Sequence, residues 1–149
     1  MRLKRLYLHI YIIRFIIRFF NAVKSIKSDW GSPESSILSL GLGVGALINI
    51  MQILFVKMFV EEFNMDAIKT IKQSETYLAN KLKGIEKINF SKDGPYGRSS
   101  GASTISNIKE GLISNIYYFE YDDYQTFKNE FTRKNGVHAK FKTWLKNND

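Results

Sequence analysis

From Ile37 to Val56 the chain carries no formal charge: ILSLGLGVGALINIMQILFV. At a helical rise of about 1.5 Å per residue, a run of that length covers the hydrocarbon core of a bilayer. A helix in a soluble domain usually turns one charged side to water, so an uncharged run this long favours lipid over a protein core. It predicts a transmembrane helix over about 37–62. Ser35 and Ser36, just after Pro33 and Glu34, supply hydroxyls at its start.

Three glycines inside the run pose a choice. Gly41-x-Gly43-x-x-Ala46 after an apolar stretch is a formal match to the dinucleotide-binding fingerprint. That loop needs a second strand and a ribose-holding acid on it, about 20 residues further on. Here apolar residues continue without a break to Glu61 and Glu62, which read as the same helix. Gly41-xxx-Gly45 is instead the spacing that lets two helices approach closely in lipid. Gly41, Gly45, Asn49 and Gln52 share one arc of a helical wheel. They are predicted to form a helix-packing face, with the two amides seeking hydrogen-bond partners on a neighbouring helix.

A second apolar stretch, LYLHIYIIRFIIRFFNAV at 6–23, predicts a helix over about 6–26. Tyr7, Tyr11, Arg14, Arg18 and Asn21 fall on one stripe of it, and Leu, Ile and Phe fill the rest. A helix lying flat on a membrane needs a broader polar face. A narrow stripe suits a helix embedded on most sides and facing one partner or lipid phosphates. Folded as a simple hairpin on the next helix, Arg14 and Arg18 come opposite about 42–46, where there is no acid. An arginine at mid-bilayer costs roughly 2.5–3.5 kcal/mol on insertion scales. Snorkelling to lipid phosphates, a shallow re-entrant path or carboxylates from another subunit would relieve that cost, and the last is the expectation for Arg14 and Arg18. Residues 1–28 are acid-free and Arg-rich as transit peptides are, but too apolar and serine-poor, so a retained helix is favoured.

Charge supports a membrane setting. Of the net +8, residues 1–56 carry +5 and residues 57–149 carry +3. Basic residues beside apolar runs read as attraction to anionic lipid and as the positive-inside signal. The second half is too nearly neutral for nucleic acid to be the expected partner. Cysteine is absent, which excludes disulfides and thiolate metal sites. Phe, Tyr, Met, Ile, Asn and Lys far outnumber Gly, Ala, Arg and Pro, a bias typical of an A+T-rich genome.

After Phe63 the chain becomes ordinary polar protein. Ile68, Ile71, Leu78, Leu82 and Ile85 form an amphipathic seam interrupted by Glu75. Residues 91–104, SKDGPYGRSSGAST, read as a loop. Gly97-Arg98-Ser99-Ser100-Gly101 matches the nucleophile-elbow pattern, and Asp122 or Asp123 and then His138 follow in hydrolase order. No strand ends where Ser99 would need one, so a serine hydrolase is a minor alternative. Lys92 and Arg98 with loop amides could hold an anion. Ile105, Ile108, Leu112 and Ile116 predict a helix after Ser103 or Thr104, and 116–121 reads as helix or strand alike. His9 and His138 each stand alone, so no metal or cofactor is expected.

The expected fold is mainly α: a membrane region at 1–63 with two membrane-embedded helices and a loop at 27–36. A small soluble region, helical or α+β, follows at 64–149. The expected function is that of a non-catalytic accessory or scaffold subunit of a multisubunit inner-membrane complex, mitochondrial or bacterial and of the energy-transducing, respiratory type. Its expected partners are other membrane subunits and anionic lipid. The alternative is a stand-alone membrane effector or immunity protein that self-associates through Gly41 and Gly45.

Overall fold

The computed structural model describes residues 2–62, 75–97 and 101–119, with the single positions 129, 143, 146 and 147. Among them the chain is mainly helical and holds no strand. Helix α1 is Arg2–Ile26, α2 is Gly41–Glu62, α3 is Glu75–Lys81 and α4 is Ala102–Asn115. Single 3-10 turns follow at Ile85–Lys87 and Tyr117–Phe119, so the aromatic run at 117–119 is a turn. Residues 120 and 121 lie outside the described residues, as do Ile68 and Ile71.

Helix α1 contains neither Gly nor Pro, which lets it run for 25 residues. Beyond it the Lys27 amide still donates to the Val23 carbonyl at 2.8 Å. Gly31 at φ 87° and Pro33 then turn the chain. Helix α2 begins at Gly41 rather than at 37. Residues 37–40 instead make a turn in which the Leu40 amide donates to the Ile37 carbonyl at 3.1 Å. That turn is anchored from far along the chain. The Ile37 amide donates to the Phe90 carbonyl at 2.9 Å, and the Lys92 amide to the Ser35 carbonyl at 3.0 Å. Ser36 and Ser91 thus form an isolated antiparallel bridge. Lys27 strengthens the tie by donating from Nζ to the Ile88 carbonyl at 2.9 Å.

The buried cluster draws on residues from both sides of position 63. Phe15, Phe19, Ala22 and Val23 come from α1, and Ala46, Leu47, Ile50, Leu54 and Met58 from α2. Leu78, Leu82, Ile85 and Phe90 join them, with Ile108, Leu112, Ile113 and Phe119. Helix α1 packs on α3, while α2 packs on α4. The two long helices touch where Phe15 meets Phe55 edge to face at 5.1 Å. Arg14, adjacent to Phe15, is therefore level with the later part of α2 and not with 42–46 as in a simple hairpin. The reason is that each long helix takes its close neighbour from the second half of the chain.

Among the described residues one helix is long and apolar enough to cross a membrane, with its 18-residue window at Gly41–Met58. Inside the protein 39% of that window is buried. Helix α4 runs beside it in the same direction: Ile105 lies against Gly45, and the Tyr118 ring lies under the Lys57 ammonium. The outward side of α4 is polar, with Ser103, Ser106, Asn107 and Ser114 exposed.

Candidate functional site

The three glycines at 41–45 meet three different surroundings. A β-carbon on Gly41 would meet nothing within 4 Å. One on Gly43 would strike the Ile37 and Leu38 carbonyls, because the 37–40 turn folds over the first turn of α2. One on Gly45 would sit 3.4 Å from Cδ1 of Ile105, at the α2–α4 contact. Gly41 to Ala46 are helical and follow a turn rather than a strand, which is not the geometry of a dinucleotide loop. Asn49 is half-buried and donates from Nδ2 to the Gly45 carbonyl at 3.1 Å, within its own helix. A partner on another helix is thus not what it uses here. Gln52 is exposed. The Gly41, Gly45, Asn49, Gln52 arc therefore runs along the edge of the buried side of α2, with Gly45 covered by α4.

On α1, Phe15 and Phe19 turn inward while Arg14 and Asn21 are exposed and Arg18 is half-buried. Neither arginine has a hydrogen bond or ion pair with a described residue. Ile13 and Ile17 flank them, each 55% exposed. Tyr7 and Tyr11 lie on the backbone of α1. The result is an outward face that mixes guanidinium with aliphatic surface. An apolar surface alone would suit lipid, and a charged one alone would suit water. This face is neither purely apolar nor purely charged.

A third cluster has no counterpart in the local sequence pattern. Gly84 adopts φ 111°, and its amide donates to Oε2 of Glu86 at 2.8 Å. A β-carbon at Gly84 would collide with the Asn115 carbonyl, so only glycine lets the end of α4 approach this turn. The Tyr117 amide then donates to the Lys83 carbonyl at 3.1 Å. This crossing brings lysines and tyrosines together. Lys81 and Lys57 hold their ammonium groups 3.8 and 4.7 Å from the centre of the Tyr118 ring. Lys81 also lies 5.4 Å from the Tyr77 ring, and Lys87 lies 4.7 Å from that of Tyr117. Amide hydrogen bonds, from its own backbone and from Gly84, hold the Glu86 carboxyl below its ordinary value. The Tyr117 side chain raises the Lys87 ammonium. Local spacing could not find this cluster, because a contact between Gly84 and Asn115 makes it.

Ser99 and Arg98 lie outside the described residues, as do Asp122, Asp123 and His138. Lys92 is exposed on the loop before them. Among the described residues no group of three His, Cys, Asp or Glu is placed to hold a metal ion. Compared with known proteins, the chain matches no family model, no curated protein and no solved structure.

Proposed function

We propose that the protein is a non-catalytic accessory subunit of a membrane complex, embedded through α2 and held against neighbouring subunits by its outer faces. One observation carries this reading: the apolar helix α2 has the outwardly polar helix α4 docked along it. Hydrocarbon does not satisfy the exposed hydroxyls and amide of Ser103, Ser106 and Asn107, whereas the Ser114 hydroxyl donates to the Glu110 carbonyl of its own helix. A chain alone in lipid leaves the first three without partners, whereas a neighbouring subunit supplies partners. The exposed Arg14 and half-buried Arg18 ask for the same neighbour, one with carboxylates level with the later part of α2. The A+T-rich residue bias fits an organellar or bacterial inner membrane, and a respiratory-type complex is the setting proposed. Self-association through Gly41 and Gly45 is less favoured, because Ile105 already occupies the approach to Gly45.

The test is the native size of the chain extracted from its own membranes in mild detergent, with its companions identified. Migration in a stoichiometric complex is expected. Arg14→Gln with Arg18→Gln is expected to reduce recovery of the partner by about tenfold or more while leaving the helical signal intact. Migration as a lone chain, or as a homo-oligomer that Gly45→Ile disperses, overturns the subunit reading.

A further inference from the structure

We propose that Lys57, Lys81, Lys83 and Lys87, set beside Tyr117 and Tyr118, form a surface that binds anionic lipid headgroups where α2 leaves the bilayer. The inference rests on the reading of α2 as membrane-embedded and adds its lipid contact. Position is the first argument. The apolar window of α2 ends at Met58, and Lys57 occupies the turn where a spanning helix reaches the headgroups. Lys81, from the last turn of α3, meets Lys57 at the Tyr118 ring, while Lys83 and Lys87, from the turns after it, join at the neighbouring Tyr117.

Chemistry is the second argument. Lys83 and Lys87 are exposed, and Lys57 and Lys81 are half-buried with their ammonium groups at the Tyr118 ring. Long amine side chains that lie along aromatic rings and end in charge are the form of snorkelling groups at a membrane interface. Tyr117 is 56% exposed, which is unusual for so large a ring in a folded core but ordinary at the headgroup level. Glu86, the acid next to Lys87, turns one oxygen to the Gly84 amide. The phosphate and carboxylate groups of acidic lipids complement such a surface.

The experiment uses the full chain, diluted from detergent onto phosphatidylcholine vesicles with and without phosphatidylserine, followed by flotation at low and high salt. Because an embedded α2 floats on either vesicle, the lysine contact is read as the preference for anionic over neutral vesicles offered together, expected to fall about fivefold for each lysine removed. Lys83→Gln with Lys87→Gln, both exposed, tests this without touching the core, and the matching arginine pair should restore the preference. The proposal is overturned if the glutamine pair keeps the native chain's preference for anionic over neutral vesicles. It is also overturned if inorganic phosphate, at matched ionic strength, releases the chain where chloride does not, since that marks a site for the free ion. The α2 reading is measured separately, by flotation with neutral vesicles and resistance to alkaline carbonate. Salt-sensitive binding to acidic vesicles that carbonate reverses keeps the lipid surface and removes the span.

Discussion

At Gly84 the backbone sits at φ +111°, and a β-carbon there would run into the Asn115 carbonyl. Two costs therefore add in Gly84→Ala: a left-handed backbone that L side chains rarely adopt, and a collision with main chain that cannot swing away. A loss of about 2–4 kcal/mol is expected, read from denaturant unfolding in detergent by circular dichroism. Thr104 presents the opposite situation. It is 1% exposed, and its Oγ1 has no hydrogen-bond partner among the described residues. Thr104→Val keeps the shape and removes a dehydrated hydroxyl, so a gain of about 1 kcal/mol is expected in the same measurement. If instead the valine chain is less stable, the hydroxyl has a partner.

Helices are legible in proportion to how locally they are determined. The first is expected over 6–26 and runs Arg2–Ile26, because neither Gly nor Pro interrupts its apolar pattern. The isoleucine spacing from 105 to 116 indicates α4, whose start at Ala102 comes slightly earlier than that spacing implies. The start of α2 moves from 37 to Gly41 because Phe90 and Ser91 hold residues 36 and 37 in a bridge. No periodicity within 37–62 reports that tie. Gly45 is legible as a place of close approach, but its neighbour is not: Ile105 of α4 comes from the other half of the chain. The lysine–tyrosine cluster is wholly hidden for the same reason. The α2–α4 contact can be tested with a disulfide, since the chain has no cysteine of its own. A Gly45 β-carbon lies within 3.9 Å of three side-chain carbons of Ile105. Gly45→Cys with Ile105→Cys is expected to oxidise readily, and the crosslinked chain to keep its helical signal. Loss of membrane retention on crosslinking, restored by reductant, would mean that α4 must leave α2 before the helix can embed.

For the molecule as a whole, a single buried cluster joins what the polarity of the sequence divides. Leu78, Leu82, Ile108 and Leu112 are fully buried, as are Phe19, Leu47 and Leu54. A fragment of residues 1–63 lacks the first group and leaves the second without its packing partners. Expressed alone, it is expected to lose cooperative unfolding and to need detergent at all times, as size-exclusion chromatography and thermal scans would show. A fragment that unfolds cooperatively as a discrete species would show instead that the first two helices form their own core.

Docking α4 beside α2 also sets an order in time. The ribosome finishes α2 before it begins α4, and at about 5–20 residues per second the gap between their completion is several seconds. During that interval the helix apolar enough to cross a membrane has no α4 to lie against. Insertion machinery therefore meets α2 bare, while a chain released before insertion meets it already sheathed. On the membrane reading proposed above, delivery races the synthesis of the chain's own second half, and slowing translation between residues 62 and 102 should favour the membrane.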